Sequence, residues 1–277
     1  MERASDPLFS VEGRIVVVTG AFGQIGTEFA KALHERGARV VVTSRQGRPD
    51  AAERLGVATD YDRLLAVQID ITDQRSVERG FERVVEAWGV PTVVVNNAGI
   101  DTQPSAPPAV SGPFEQFPAE VFREVIETNL VGTFLVTQTA GRLMRGAGLA
   151  GSIINIGSIY GMVSPVQDIY AYRAIDTGIP FVKPVAYSAA KSGLYNLTRY
   201  CATYWGREGI RVNTLTPAGV WRETQDAKFH ANYESRIPIG RMAQADEYNG
   251  ALIFLASDAS RYMTGSNLVV DGGWTAW

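Results

Sequence analysis

Arg14-Ile15-Val16-Val17-Val18-Thr19-Gly20-Ala21-Phe22-Gly23-Gln24-Ile25-Gly26 is the stretch whose reading decides the fold. Its apolar run reads as a short buried strand, and three glycines punctuate the eight residues from Thr19 to Gly26. A helix comes at once: Ile25, Phe29 and Leu33 recur every four residues on one face, and Gly37 supplies the stop. Glycines at such a turn let backbone amides approach a pyrophosphate, while the helix N-terminus adds partial positive charge and unpaired N–H groups. Gly20, Phe22, Gly23, Gln24, Ile25 and Gly26 are therefore the expected seat of a dinucleotide; a tight turn without a ligand is the plainer alternative.

The next strand, Arg39-Val40-Val41-Val42-Thr43-Ser44, ends where an acidic residue would hold the ribose hydroxyls of NAD. Ser44 and Arg45 stand there instead. An arginine suits a 2′-phosphate and no carboxylate repels it, so NADP(H) is favoured as cofactor, with NAD(H) the alternative if Arg45 is merely solvated. Further along, the short apolar runs Val93–Val95, Ile153–Ile156, Arg211–Leu215 and Leu268–Val270 alternate with helical patterns. That alternation argues a doubly wound parallel sheet of Rossmann type, covered by helices on both faces. Five prolines between Asp101 and Pro118 make that segment a long loop. Leu194, Leu197, Cys201 and Trp205 recur at helical spacing and read as a core stripe.

The run Val185-Ala186-Tyr187-Ser188-Ala189-Ala190-Lys191 carries the chemistry, because four-residue spacing on a helix stacks a phenol beside an ammonium. A free tyrosine titrates near 10. A unit charge about 5 Å away, at an effective dielectric of about 20, contributes roughly 3 kcal/mol and should lower that pKa by about two units. A phenol so tuned exchanges protons with an alcohol near neutral pH. Ser158 closes the buried run Ile153–Ile156 and Gly157 at the strand end where open parallel sheets bind ligands, placing a hydroxyl for the reacting oxygen. Asn129 lies inside a helical pattern containing Phe122, Val125, Ile126 and Leu130, an unfavourable place for a short amide.

With these residues in this order the chain resembles the short-chain dehydrogenase/reductase family from about Gly13 to the C-terminus. The resemblance implies that Asp70 and Ile71 contact adenine, and that Asn97, Ala98 and Gly99 flank the cofactor. It makes Asn129, Ser158, Tyr187 and Lys191 a catalytic tetrad, and places Pro217, Gly219 and Val220 near the nicotinamide. It also implies that Asn129 holds a water connecting to Lys191, and that Lys191 grips the nicotinamide ribose.

Three departures stand out. Gly20-x-x-Gly23-x-x-Gly26 has the spacing of the family's longer, nucleotide-sugar-modifying branch, whereas Asn96–Gly99 and Asp271-Gly272-Gly273 fit the shorter one. Twenty-eight residues separate Ser158 from Tyr187, an insertion at about 164–185 that must emerge beside the site. Its Tyr172 and Arg173, together with Tyr160, are substrate candidates; a surface loop or an oligomer contact is the other reading. Arg222 stands where a threonine is usual, and Arg222 with His230 could meet an anionic substrate group. The insertion, Ala202–Gly206 and the ending Gly273–Trp277 resemble a subgroup linked to acidic-sugar and surface-polysaccharide metabolism.

Composition excludes other classes. A net charge of −3 with scattered arginines gives no basic stripe, so no nucleic-acid partner is expected. Cys201 is the single cysteine, consistent with a reducing compartment. Met1–Ser10 lacks a signal-like apolar core and no segment approaches about 20 continuous apolar residues, so the expectation is a cytoplasmic protein without a membrane partner. No metal site is expected. The chain reads as an N-terminal tail, 1–12, and one oxidoreductase domain, 13–277, acting on a small polyhydroxylated, sugar-like molecule. By the resemblance it forms a homodimer or homotetramer. The alternatives are a nucleotide-sugar epimerase or dehydratase, for which the 86 residues after Lys191 leave little room, and a catalytically silent dinucleotide-binding regulator.

Overall fold

A computed structural model describes residues 6–57 and 62–277. In chain order its elements are β1 (Ile15–Thr19), α1 (Gln24–Glu35), β2 (Arg39–Ser44), α2 (Ala51–Leu55), β3 (Leu64–Gln68), α3 (Gln74–Trp88) and β4 (Val93–Asn96). Then come α4 (Ala119–Ile126), α5 (Gly132–Gly146), β5 (Gly151–Ile156), α6 (Ile159–Met162), α7 (Tyr172–Thr177), α8 (Val185–Trp205), β6 (Ile210–Pro217), α9 (Ala227–Glu234), α10 (Asn249–Ala256) and β7 (Asn267–Val270). The strands form one parallel sheet in the order β3-β2-β1-β4-β5-β6-β7. β3 is the strand that apolar periodicity did not reveal: its Leu-Leu-Ala-Val-Gln sequence is short and its central residues are only partly buried.

The valine runs build this sheet because β-branched residues pack well on a pleated surface buried on both sides. Alternate residues serve opposite faces. Val16, Val18, Val40, Val42, Val93 and Val95 pack with Phe29 and Leu33 of α1 and Leu252 and Ile253 of α10. Val17, Val41, Val94 and Ile153 pack with Val77, Phe81 and Val84 of α3, Val136 and Met144 of α5, and Cys201 and Trp205 of α8. The α8 stripe is therefore core. Each fully buried Phe or Leu contributes about 1.5–3 kcal/mol relative to exposure, so the two layers hold the strand ends rigidly. Residues 6–12 lie against the body: Val11 is buried and the Phe9 ring is 6.5 Å from that of Phe254.

Strand order reverses between β1 and β4, and a crevice opens beyond their C-terminal ends. A third, aromatic-rich cluster caps this end, joining Ile169, Tyr170, Tyr172 and Phe181 of the insertion to Phe229 and Tyr233 of α9 and to Trp274. The residues after Lys191 are taken up by the rest of α8, β6, α9, α10 and β7, which leaves no separate substrate domain among the described residues. No helix among them is long and apolar enough to cross a membrane.

Candidate active site

A cleft of about 600 Å³ runs across the C-terminal edge of the sheet. The glycine turn forms one end. Gly20 has φ +61°, and a Cβ there would lie 2.7 Å from Ala98 Cα; at Gly26 it would lie 2.3 Å from Gly20 O. Only glycine lets β1, the turn and the end of β4 approach so closely. Asn97 staples them, its Nδ2 donating to Thr19 O at 3.1 Å and Gly20 O at 2.9 Å. Gly23 is the N-cap of α1 and no side chain caps that helix among the described residues, so first-turn N–H groups remain for an anion. The chemistry of this cradle fits a dinucleotide pyrophosphate.

Gln24 does more than line the cleft. Its Nε2 donates to Trp221 O at 2.6 Å and its Oε1 accepts from Arg222 Nε, so the turn is clasped to the segment after β6. Ser44, Arg45, Asp70, Ile71, Ala98 and Gly99 also line the cleft, as do Ile25, Pro217, Gly219 and Val220. Ser44 Oγ donates to Gln46 O, and Asp70 Oδ1 accepts from Thr72 N at 3.0 Å and Thr72 Oγ1 at 2.7 Å. The Arg45 side chain is exposed, with no ion-pair partner among the described residues. Phe22 is the exception: its ring packs against the core beneath Arg48 rather than facing the cleft. The turn rotates that side chain away from the pyrophosphate seat.

Ser158, Tyr187 and Lys191 meet on the opposite wall. Ser158 follows β5 by two residues, is extended and caps α6, its Oγ accepting from Tyr160 N at 3.2 Å. Tyr195 Oη donates to Ser158 O at 2.8 Å, fixing the serine backbone. Lys191 is buried, and its Nζ donates to Ile156 O at 2.7 Å and lies 5.7 Å from the Tyr187 ring centroid. Asn129 sits in a single π-helical turn, Glu127–Val131, between α4 and α5. Such turns interrupt helices where a side chain has another task. Here the amide clamps the loop after β4: Nδ2 donates to Ile100 O and Oδ1 accepts from Ile100 N, both at 2.8 Å. Asn129 thus stands behind the wall, with both amide atoms engaged by backbone.

Tyr187 does not titrate as its spacing from Lys191 suggests. Burial pushes its pKa above 10, Asp101 adds to the rise, and a hydrogen bond from Ser158 opposes it. Tyr187 is half-buried on the cleft wall, and loss of water is the largest cause of its shift. Burial also lowers Lys191 to about 8, with Asp101 opposing. Burial thus moves the two groups in opposite directions, raising the phenol and lowering the ammonium.

The insertion reaches the cleft, but through other residues than those singled out in the sequence. Tyr170 and Lys183 line it, with Tyr160, Asp101, Phe229, Tyr233 and Gln225. Tyr160 and Tyr170 share a hydrogen bond between hydroxyls at 3.2 Å. Tyr172 is instead buried in the aromatic cluster, and Arg173 lies outside the cleft lining with its Nε enclosed. His230 is one layer back: its Nε2 is 3.0 Å from Gln225 Oε1 and its ring 5.8 Å from Trp221. Arg222 does line the cleft. The five prolines around Asp101 marked its loop, but nothing local in the sequence joined that aspartate to Lys183, 82 positions away.

The sequence profile of the enoyl-(acyl carrier protein) reductase family matches residues 20–275. A cis-4-hydroxycyclohexanecarboxylate dehydrogenase from Sinomonas cyclohexanicum is 38% identical, over 95% of this chain and 97% of its own. A short-chain dehydrogenase from Leptospira borgpetersenii with bound NAD+ superposes with a TM-score of 0.83 at 31% identity, covering 99% of this chain and 98% of that one. A gluconate 5-dehydrogenase from Burkholderia cenocepacia in complex with NADP and tartrate gives 0.81 at 29% identity, with 98% of each chain covered.

Proposed function

The chain belongs to the short-chain dehydrogenase/reductase family and is an NAD(P)-dependent oxidoreductase, and from that premise we propose that it interconverts an alcohol and a carbonyl on a small hydroxylated substrate, a polyol or hydroxy acid. The observation that carries this reading is the convergence of Ser158, Tyr187 and Lys191 on one wall of the cleft whose far end is the glycine cradle. When bound, the nicotinamide accepts or donates hydride. Tyr187 acts as general acid/base, removing a proton from the alcohol or returning it to the carbonyl oxygen. Ser158 donates a hydrogen bond to that oxygen. Lys191, held by its 2.7 Å hydrogen bond to the Ile156 carbonyl, places its Nζ 5.7 Å from the Tyr187 ring centroid, and burial lowers its pKa to about 8.

The lining supports a substrate of this class. Tyr160, Tyr170, Asp101 and Gln225 offer hydroxyl, carboxylate and amide partners for several oxygens, while Phe229 and the tyrosine rings cover carbon. The tartrate in the Burkholderia complex and the hydroxy acid named for the Sinomonas relative belong to the same class. NADP(H) is the favoured cofactor in this reading because the exposed Arg45 guanidinium is free for a 2′-phosphate. We also infer a homodimer or homotetramer built partly on α8, where Tyr200 and Tyr204 stack in the open with centroids 6.0 Å apart.

The test is a panel of cis- and trans-4-hydroxycyclohexanecarboxylate, D-gluconate, L-tartrate, D-sorbitol and L-rhamnose with each oxidised cofactor, read by reduced-nicotinamide absorbance. Turnover of at least one member that is lost in Tyr187→Phe is expected. No turnover of any hydroxy acid or polyol would reject the substrate class.

A further inference from the structure

Beside Tyr187 and Lys191 the cleft holds a second pair of opposite charge, Asp101 and Lys183. Lys183 Nζ lies 2.6 Å from each Asp101 carboxylate oxygen and donates to Thr102 O at 3.0 Å. An ammonium has three donors, so this one is saturated within the protein. Its side chain is 5% exposed, whereas that of Asp101 is 31% exposed and keeps an edge on the cleft. Both partners are fixed. Gln167 brackets the Lys183 backbone, accepting from its N at 2.9 Å and donating to its O at 3.2 Å, and Thr102 N donates to Asp101 Oδ1 at 2.8 Å.

The pair acts on the acid/base residues through space. Lys183 Nζ is 5.4 Å from the Tyr187 ring centroid, against 5.7 Å for Lys191. The titratable groups that face Tyr187 are Lys191 and Tyr195 from α8, Lys183 from the insertion, Asp101 from the loop after β4, Tyr160 from α6 and Tyr233 from α9. Asp101 is the one carboxylate in this set. A negative charge there favours the protonated form of both Tyr187 and Lys191.

Resting on the assignment of Tyr187 as the acid/base group, we propose that Asp101 and Lys183 are positioning residues that set the proton affinity of Tyr187: Asp101 through its negative field, Lys183 by neutralising and holding that carboxylate. The insertion between Ser158 and Tyr187 thereby delivers a counter-charge to the catalytic phenol as well as a wall. Without Lys183, an uncompensated carboxylate would hold the proton on the phenol; without Asp101, the remaining ammonium would draw it off.

The pH dependence of kcat/KM for alcohol oxidation, measured with the panel compound the wild-type protein oxidises fastest, reads this affinity. The rate rises with pH as Tyr187 loses its proton. Asp101→Asn should move that limb about one unit to lower pH, and Lys183→Met about one unit to higher pH, as a partly solvated charge at roughly 6 Å would. Lys183→Arg should leave it in place, and the double variant should fall between the two single ones. A residue that only props the loop would lower the rate without moving the limb. Limbs that stay put, or that move the same way in Asp101→Asn and Lys183→Met, overturn the proposal. If Lys183→Met does not fold, Asp101→Asn decides alone. Should no panel compound be oxidised, the substrate assignment fails and this pair is still tested: the Tyr187 Cζ resonance of 13C-tyrosine-labelled protein with NADP+, identified by its loss in Tyr187→Phe, must begin to titrate at lower pH in Asp101→Asn and at higher pH in Lys183→Met.

Discussion

Replacing Lys191 by methionine should make the protein more stable while abolishing its turnover. The ammonium is buried at 5% exposure, and burial lowers its pKa from 10.5 to about 8. A gap of about 2.5 units at about 1.4 kcal/mol each amounts to roughly 3 kcal/mol of destabilisation when the group is charged. Proton binding sets the sign. Between pH 8 and 10.5 the unfolded chain binds a proton that the folded chain does not, so stability rises with pH across that window. Below pH 8 the full penalty applies, and above 10.5 it is gone. Methionine has similar length and no charge. Its one loss is the 2.7 Å hydrogen bond to Ile156 O, about 1–3 kcal/mol if that carbonyl were left dry, but Ile156 lines the cleft and water can replace the donor. The net gain at pH 7 is therefore about 1–2 kcal/mol. Urea unfolding of both proteins at pH 7 and pH 10 measures it. The methionine variant should lead at pH 7, and its lead should shrink or reverse by about 2 kcal/mol at pH 10. A variant less stable at pH 7, or a gap indifferent to pH, refutes the burial argument.

Tyr187→Phe should bind NADPH with affinity near wild type, followed by nucleotide fluorescence, yet lose turnover by about 10²–10⁴-fold; unchanged turnover removes the phenol from the chemistry. Arg45→Ala should weaken NADPH about 10- to 100-fold and NADH little, in keeping with loss of a charge-assisted hydrogen bond, and equal losses reject the 2′-phosphate assignment. Gly26→Ala should abolish binding of either nucleotide, because its Cβ would sit 2.3 Å from Gly20 O and 2.6 Å from Asn97 Nδ2; isothermal titration with retained affinity would contradict the close-packed cradle. Glu247, bridged to Arg241 by two 2.6 Å bonds, has its pKa lowered to about 2, chiefly by that arginine. Its small contribution should be present above pH 4.5 and lost as pH falls through about 2. Glu247→Gln should therefore lower the melting temperature at pH 7 more than at pH 3, and an equal drop at both would exclude the ion pair as its cause.

Short-range geometry governs the features that were legible in the order of residues alone. A valine run, three glycines and a four-residue repeat define strand, turn and helix because each depends on neighbours within a few residues. The cradle's glycines, the β2 end at Ser44 and Arg45, and the stacking of Tyr187 near Lys191 obey the same local rules. Alternation of such units implied the parallel sheet. The sub-sites that close over a substrate obey no such rule. Phe22, Tyr172 and Arg173 lie off the cleft lining because one residue's rotation in a turn or short helix changes the face a side chain takes. Asp101 and Lys183 meet only because the loop after β4 and the insertion before α8 converge on one cleft. The phenol's proton affinity belongs to the tertiary structure as well: neighbour spacing supplies a charge, but the water removed from Tyr187 depends on every segment packed around it, and that loss sets the direction of its shift.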